Sequence, residues 1–359
     1  MTHQENAPLS VTPGAIRFNT DSMKLEYYRG GPVGFGTTTT TGEWVNITTD
    51  SPDIQTGGAR GLIAGGYTPG ISAAISYINL STTGNSETFG NLLGSTERAN
   101  GVSGYSSRTR GIFGCGQIPG PAQSSNILDY VTISSTGNAQ DFGDATIKSE
   151  GYCGVSNSTR GIAGGGFHRS PGAGSYVSTL DYVTIAATGN AQDFGDLTAA
   201  NGFCATGASS TRGIWGPGNG DATTICFITI STLGNAADFG DTTDSRYQWS
   251  GGISSNSTRF VMAGGEDYTP GTKVNIIDYV EIATLGNAID FGDLTTGRSD
   301  VASLSSPTRI AFAGGHTPTI VNTIDYVQIM STGNAIDFGD VNSVFASGGS
   351  VSNGHGGLG

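Results

Sequence analysis

The stretch "STGNAQDFGD" at residues 135–144 decides the fold, because the chain repeats it nearly unchanged. A degenerate copy comes first and closer copies follow: "TTGNSETFGN" at 82–91, "ATGNAQDFGD" at 187–196, "TLGNAADFGD" at 232–241, "TLGNAIDFGD" at 284–293 and "STGNAIDFGD" at 331–340. Such regular repetition indicates an array of similar structural units rather than several unrelated domains.

A second phrase alternates with the first and consists of an Arg followed by an apolar run and glycines, as in "STRGIAGGG". The Arg recurs about every 50 residues, at Arg60, Arg110, Arg160, Arg212, Arg259 and Arg309. Each unit contains four strand candidates, which we label A to D. Around Arg160 they read "GYCGVSN", "RGIAGGG", "TLDYVTIAA" and "AQDFGDL", and no helical periodicity separates them.

Six units of four strands predict an all-β fold, a six-bladed β-propeller over residues 55–353. The first recognisable element, "GGARGLIAGG" at 57–66, is a strand B with no strand A before it. The last, "VFASGGSVSN" at 344–353, resembles a strand A with no strand B after it. We expect these two strands to pair, because closing the ring removes its open edges. A small β-rich module at 1–54 precedes the propeller, and we expect a flexible Gly-rich tail at 354–359.

The composition favours short strands and tight turns, since 59 of the 359 residues are Gly and only 13% are charged. The net charge of −13 argues against nucleic acid as a partner. No apolar run reaches the roughly 18 residues of a membrane span, and "MTHQENAPLSVTPG" lacks the features of a secretory signal. We interpret the four cysteines as buried small side chains without a disulfide or zinc role, because no CxxC pair exists: Cys115, Cys153, Cys204 and Cys226.

The repeats resemble those of kelch-type propellers over residues 55–353. The resemblance rests on the Gly-Gly that ends strand B, a Tyr in strand C and the period of about 50 residues. Kelch units usually place a Trp after the Tyr, whereas this chain has only Trp44, Trp215 and Trp249. We expect the Phe of each DFG triplet to fill the corresponding space between blades, at Phe142, Phe194, Phe239, Phe291 and Phe338.

Residues 1–54 form a different module, with short strands, a turn at "NTDS" and a Gly/Thr-rich loop. Its apolar residues are few, namely Ile16, Phe18, Leu25, Tyr27 and Trp44. So small a set cannot bury a stable core in an isolated unit of this size. We therefore expect the module to pack on another chain, on copies of itself, or on the propeller.

The same module resembles a short unit found in tail-fibre and other structural proteins of tailed bacteriophages. The shared pattern begins with "GAIRFNTD" at 14–21, continues at Leu25, Glu26 and Tyr28, and ends at Trp44 and Ile47. The propeller repeats also resemble sequences in structural proteins of marine phages, of the type that cyanophages carry. The resemblance implies an oligomeric protein at the virion surface, made in the host cytoplasm and attached to other virion proteins through residues 1–54.

Several motifs of the chain resemble chemical sites of other proteins, but structural roles explain them better. The DFG triplet holds Mg²⁺ in kinases, but the Gly-rich loop, strand Lys and HRD loop of a kinase are absent. Paired acids such as Asp141 with Asp144, or Asp193 with Asp196, could supply Ca²⁺ ligands, but EF-hand spacing is absent and Asp also caps turns. We expect no metal and no cofactor.

The six Arg residues of the second phrase could form an anion-binding ring. We instead expect a structural ring, in which each Arg pairs with an Asp of the repeated DY pair, such as Asp129, Asp181, Asp278 or Asp325, because a buried Arg needs a partner. Catalysis is not expected, because no paired signature of a nucleophile triad surrounds His3, His168, His316 or His355.

The loops divide into two classes. The A–B and C–D turns are nearly uniform among repeats, whereas the B–C and D–A loops differ in every unit. In an up-and-down blade these two classes lie on opposite faces of the disc, and loops on rigid scaffolds commonly carry recognition. The variable face is the candidate recognition surface, and an unselected solvated rim is the alternative. Its candidate residues are Tyr67, His168, Arg169, Tyr176, Tyr247, Trp249, Asp267, Tyr268 and His316.

These observations support the hypothesis of a non-enzymatic virion structural protein, either a tail fibre or appendage or a capsid decoration. Residues 1–54 would anchor it from the uniform face, and the propeller would project outward and bind a host-surface glycan or protein. The alternatives are a cellular kelch-like interaction module and a glycan-processing propeller enzyme.

Overall fold

The computed structural model describes residues 15–19, 24–30, 42–46, 60–68, 70–93, 102–118, 124–170, 173–219, 223–247, 252–267 and 271–358. The chain divides into two compact units, Met1–Gln55 and Thr56–Gly359. Within the described ranges, no helix has the length and apolar character needed to cross a membrane.

The first unit contains a three-stranded antiparallel sheet formed by β1 (Ile16–Asn19), β2 (Lys24–Gly30) and β3 (Gly42–Asn46), with β2 in the middle. Arg17 lies opposite Glu26 and donates from Nε to Glu26 Oε2 at 2.8 Å. The Arg17 guanidinium also lies 4.2 Å from the centre of the Trp44 ring. A charged pair stacked on an aromatic ring therefore links all three strands.

The second unit is a six-bladed β-propeller, which confirms the predicted fold class. The strands of its first half are β4 (Arg60–Ala64), β5 (Tyr67–Thr68), β6 (Gly70–Ile71), β7 (Ala74–Asn79), β8 (Glu87–Asn91), β9 (Ser103–Ser106), β10 (Arg110–Gly114), β11 (Ser125–Thr132), β12 (Gln140–Ser149), β13 (Cys153–Ser156), β14 (Arg160–Gly164), β15 (Phe167–Ser170), β16 (Ala173–Tyr176), β17 (Thr179–Thr184) and β18 (Gln192–Asp196). Blade two is β9–β12, and blade three is β13, β14, β17 and β18, while β5–β6 and β15–β16 are hairpins within B–C loops.

The strands of the second half continue the same pattern. They are β19 (Thr206–Ala208), β20 (Arg212–Trp215), β21 (Thr224–Thr229), β22 (Ala237–Asp241), β23 (Arg246–Tyr247), β24 (Arg259–Ala263), β25 (Glu266–Asp267), β26 (Ile276–Glu281), β27 (Ile289–Asp293), β28 (Ala302–Ser305), β29 (Arg309–Ala313), β30 (Thr323–Gln328), β31 (Ile336–Asp340) and β32 (Gly349–Ser352). Blade four is β19–β22, blade five is β24, β26 and β27, and blade six is β28–β31. In blade five, a bridge from Ser255 to Phe260 replaces a full strand A.

The ring closes as the sequence predicts. Blade one is formed by β32, β4, β7 and β8, so its strand A comes from the far end of the chain. Gly349 lies opposite Ala64, and Ser352 lies opposite Gly61. Just beyond this ladder, Asn353 Oδ1 accepts a hydrogen bond from Arg60 N at 3.0 Å. This pairing covers the strand edges that blade one would otherwise leave open.

The hydrophobic core lies between neighbouring blades. One cluster joins Ile75 and Phe89 of blade one to Phe113 and Ile133 of blade two. Corresponding clusters join blades four to five, five to six and six to one, and a larger one joins blades two, three and four. The DFG phenylalanines are buried members of these clusters, which confirms their predicted place between blades: Phe142, Phe194, Phe239, Phe291 and Phe338.

Each DFG triplet forms a β-bulge in strand D. In blade three, Leu180 pairs with Gly195 and Asp181 pairs with Asp193, so Phe194 is the extra residue between them. Its ring packs edge-on against Tyr182 with ring centres 6.2 Å apart. Gly195 has a φ of +146°, a conformation that glycine adopts without strain.

The Gly-Asn pair of each C–D turn holds strand D of the preceding blade. Gly189 N donates to Phe142 O at 2.7 Å, and Asn190 Oδ1 accepts from Asp144 N at 3.1 Å. The Asn contact recurs around the whole ring, at Asn85–Asp340, Asn138–Asn91, Asn190–Asp144, Asn235–Asp196, Asn287–Asp241 and Asn334–Asp293. Each copy of the repeated phrase therefore makes two inter-blade contacts. Its Gly-Asn turn bonds strand D of the preceding blade, and its own strand D is bonded by the turn of the next blade.

The six Arg residues also join blades, and the predicted pairing with the DY aspartates is wrong. Arg160 Nη1 donates to Ile230 O of the next blade at 2.9 Å, and its guanidinium lies 4.7 Å from the centre of the Tyr182 ring. Strand register explains the difference, because Asp181 lies opposite Ala163, further along the strand from Arg160. The same bond recurs as Arg60–Ile133, Arg110–Ile185, Arg212–Ile282, Arg259–Ile329 and Arg309–Leu80.

Other groups bind the DY aspartates. Asp278 forms a buried ion pair with Arg246, and Asp325 forms one with Arg298 at 2.9 Å. In blade three, Asp181 instead accepts hydrogen bonds from Thr146 N at 2.8 Å and from the Tyr152 hydroxyl. Burial raises the pKa of Asp181 and of Asp278, and these donors oppose that shift.

Residues 354–358 are buried, which differs from the flexible tail that the sequence predicts. His355 Nε2 lies 3.0 Å from Ser106 O, and a 3-10 turn follows at Gly356–Leu358. Arg108 Nη2 donates to Leu358 O at 2.6 Å. His355 also lies 3.3 Å from Ser156 Oγ in blade three, and Gly356 N donates to Ser255 O in blade five, so the tail fills the centre of the ring. Glycine permits this approach, since a Cβ on Gly357 would lie 1.8 Å from Ser156 O.

Candidate functional site

A basin of about 710 Å³ opens on the face formed by the B–C and D–A loops. Its lining comes from loops all around the ring, including Tyr67 after β4, Glu150 after β12, Phe203 after β18 and His316 after β29. The basin therefore lies over the centre of the variable face. Its size is within the roughly 300–1,000 Å³ of small-molecule sites.

The candidate recognition residues divide into three groups. Tyr67, Arg169, Tyr176 and His316 line the basin. Tyr247 contacts its wall, because its hydroxyl donates to Glu266 Oε1 at 3.0 Å. His168 and Asp267 do not line it, and His168 Nδ1 lies 2.7 Å from Lys148 O. Trp249 and Tyr268 lie outside the described residues.

Two ion pairs form part of the wall of the basin. Glu150 Oε1 lies 2.6 Å from Arg169 Nη2, and its side chain is only 4% exposed. The hydrogen bond to Glu150 raises the pKa of Arg169. Glu266 and Lys273 form the second pair. Each pair presents an acceptor and a donor side by side, with little net charge.

Asp300 is the third carboxylate that lines the basin, beside Glu150 and Glu266. It accepts hydrogen bonds from Ser299 Oγ at 2.7 Å and from Ser347 Oγ at 3.0 Å. Burial raises its pKa, while these donors and the nearby Lys273 and His316 oppose the shift. Burial also lowers the pKa of Lys273, so the charged forms of both groups are disfavoured here.

Aromatic side chains supply the apolar part of the lining. Phe167 and Tyr176 face each other across the β15–β16 hairpin with ring centres 5.1 Å apart. Phe203 packs its ring over Gly151, where an added Cβ would lie 2.5 Å from Phe203 Cδ2. Together with the exposed Tyr67, these rings place flat apolar surfaces beside the charged pairs.

Three basin residues adopt a left-handed backbone conformation that normally favours glycine. The φ angles are 58° at Phe203, 60° at Asp300 and 57° at Ser347. These residues occupy the repeat position where blade three has Gly151, whose φ is 65°. A non-glycine residue costs about 1–2 kcal/mol in this conformation. The chain thus carries side chains at a strained position, and all three line the same basin.

No group of three or more His, Cys, Asp or Glu side chains in the described ranges is arranged to hold a metal ion. Sequence reasoning missed Glu150, Phe203, Glu266, Lys273 and Asp300, because they lie in loops that share no phrase between repeats. The sequence contains one signal of this site, because Phe203 and Asp300 occupy the repeat position at which blade three has Gly151.

In the first unit, the apolar residues predicted for an anchoring module lie in different environments. Trp44 is half-buried and packs edge-on against Tyr28 with ring centres 5.4 Å apart. Tyr27 is half-buried, whereas Ile16 is 64% exposed. The side chains of Phe18 and Leu25 lie outside the described residues.

Similarity to characterised proteins adds no function. No protein-family model matches this chain, and no curated protein matches it.

Proposed function

We propose that this chain is a non-enzymatic structural protein of a phage virion, and that its propeller binds a host-surface ligand in the basin. The observation that carries the binding role is the basin itself, where four of the candidate recognition residues meet three strained residues. Rigid scaffolds with variable loops commonly carry recognition in this arrangement. The virion role rests on the resemblance of the first unit to phage structural modules.

The first unit supports an attachment role. Arg17, Glu26, Tyr28 and Trp44 belong to the phage-like pattern, and together they form one cluster of ion-pair and ring contacts. Ile16 remains exposed on the sheet. The few apolar residues of so small a unit favour packing against another chain.

Particle analysis tests the virion role. Virions purified by density gradient should contain the chain by mass spectrometry, and particle imaging should show propeller density at a tail or capsid surface. Trp44→Ala removes a ring that contacts Arg17 and Tyr28, so we expect it to reduce incorporation at least tenfold. Phe203→Gly, in the basin, is the matched control and should incorporate normally. Absence of the chain from particles would refute the virion role.

A glycan-processing enzyme is the second candidate, and Asp300 is the observation that favours it. A carboxyl group whose pKa is raised by burial in a basin has the property required of a general acid. The other two carboxylates that line the basin argue against catalysis, since Glu150 and Glu266 are both held in ion pairs and neither is free to act as the second catalytic carboxylate. Incubating the full chain with oligosaccharides and analysing products by mass spectrometry decides the matter: cleavage that Asp300→Asn abolishes would establish an enzyme.

A further inference from the structure

We propose that the basin binds a neutral glycan, with the ion pairs bonding its hydroxyl groups and the aromatic rings packing on its C–H faces. This inference rests on the proposed binding role and names the ligand class. The features that carry it are the paired charges, the rings beside them and the strained residues that converge on the same cavity.

The charges of the basin select against strongly charged ligands. Arg169 already binds Glu150, and Lys273 already binds Glu266, so a phosphate or a carboxylate would have to compete with a resident carboxylate for either cation. An ammonium ligand would likewise have to displace Arg169 or Lys273 from its carboxylate, and at Asp300 it would meet the nearby Lys273 and His316. Because either ion would take a partner away from a largely buried carboxylate or from its cation, which is costly, the basin disfavours both kinds of ion.

A hydroxyl group matches these pairs without breaking them. It can donate to a carboxylate oxygen and at the same time accept from the neighbouring cation. Glu150 Oε2 and Arg169 Nε are buried and lack a hydrogen-bond partner among the described residues, so a ligand hydroxyl that reached them would satisfy them. Asp300, Tyr176 and His316 add further polar groups around the same cavity. A ligand rich in hydroxyl groups uses many such sites at once.

The rings provide the second half of the recognition. A pyranose has an apolar face of C–H groups, and burying it against flat aromatic surfaces is favourable. Phe167, Tyr176, Phe203 and Tyr67 supply such surfaces within one basin. The side chains of Phe203 and Asp300 are present despite their unfavourable backbone conformation. An aromatic ring and a carboxylate at these two positions suit a sugar ligand.

The backbone conformation offers a clean test. Phe203→Gly and Asp300→Gly remove the side chain and install the residue that Gly151 shows to be acceptable at this position. Both variants should therefore fold. Cys115→Gly is the matched control, because Cys115 also has a left-handed φ of 60° but does not line the basin.

The experiment uses the full-length chain on an array of neutral oligosaccharides ending in hexose or N-acetylhexosamine, printed beside sialylated and sulfated glycans. We expect binding to neutral glycans, at least tenfold weaker binding for Phe203→Gly and Asp300→Gly, and unchanged binding for Cys115→Gly. Titration calorimetry with the best array ligand gives the affinities. Binding only to anionic glycans, no glycan binding, or binding that both basin variants retain would each overturn the inference.

The outcome is separable from that of the virion role. Particles that contain a chain without glycan affinity would leave the virion role intact and refute the ligand class. A chain that binds glycans but is absent from particles would refute the virion role and leave the ligand class intact.

Discussion

His355 is a single side chain that its surroundings hold in one charge state. It is 1% exposed at the centre of the ring, and burial lowers its pKa to about 4. The carbonyl of Ser106 favours the protonated form, whereas nearby Arg108 opposes it. Because burial is the largest of these effects, the folded chain keeps His355 neutral at pH values where an exposed His is already charged.

Acid should therefore weaken the fold through this residue. The folded pKa lies below the ~6.5 of an unfolded His, so the unfolded chain binds more protons as the pH falls from about 6.5 to 4. By pH 4.5 the free energy of unfolding should drop by about 2–3 kcal/mol on this account. Local opening of the tail at a smaller free-energy cost would limit the loss of unfolding free energy to that cost.

Denaturant titrations at pH 7 and pH 4.5 measure the effect. His355→Gln cannot take up the proton, so it should lack this component while sharing the pH dependence of the buried carboxylates. Identical pH dependence in the two proteins would show that His355 does not couple to folding.

At the scale of elements, the C–D turn of one blade and strand D of the preceding blade form the recurring joint of the molecule. The joint combines a bulge that buries Phe, a glycine that brings two backbones together, and an Asn that accepts from the neighbouring strand. In blade two, a Cβ on Gly143 would lie 2.5 Å from Gly189 O, so only glycine allows this approach.

Two alanine substitutions separate the close approach from backbone strain. Gly143 and Gly189 have φ angles of +144° and +152°, but a Cβ on Gly189 would meet nothing within 4 Å. Gly143→Ala should lower the free energy of unfolding by about 1–3 kcal/mol more than Gly189→Ala, because it also overpacks the joint. Thermal and denaturant unfolding of both variants provide the comparison. Equal losses would mean that the joint tolerates a wider spacing.

The Arg ring makes a different prediction. Arg160 bonds a carbonyl and stacks on Tyr182, so Arg160→Lys keeps the charge but loses the planar donor geometry. We expect Arg160→Lys to cost about 1–2 kcal/mol of unfolding free energy, nearly independent of salt. Arg259, which also pairs with Glu281, is the control. The unfolding free energy lost in Arg259→Lys should change with salt concentration. A strong salt dependence at Arg160 would reveal an unrecognised carboxylate partner.

The sequence repeats predict where residues lie in the blades better than they predict which groups those residues contact. The period identifies strands A to D, the closure by β32 and the buried Phe of each bulge. It does not tell which group lies opposite Arg160, because strand register and the neighbouring blade decide that contact. Phe203 and Asp300 were missed because they lie in loops that differ from unit to unit. The buried tail was missed because its Gly content, typical of mobile chain, here permits close packing.

At the scale of the whole molecule, the chain uses residues from its far end twice. Residues 349–352 complete blade one, and residues 354–358 fill the centre of the ring. These two segments are adjacent in sequence but stabilise different parts of the propeller. The strand covers an open sheet edge, whereas the tail joins strands A of blades that are already complete.

Two truncations should behave differently. Removing 354–359 deletes the central filling and His355, so we expect a soluble, folded propeller with a lower midpoint of thermal unfolding and a weaker response to acid. Removing 349–359 also leaves β4 without its partner, so we expect aggregation or loss of cooperative unfolding. Circular dichroism melts and size-exclusion chromatography distinguish these results. A cooperative, monomeric 349–359 truncation would mean that closure is dispensable.

The closure also has a consequence for biosynthesis. Arg60 and Asn353, which meet where the ring closes, are 293 residues apart in the chain. At roughly 5–20 residues per second, a ribosome needs about 15–60 seconds to synthesise the intervening chain. Throughout that interval the nascent blade one has an uncovered edge. Blade one can therefore be completed only after residues 349–352 have been synthesised, long after its other three strands.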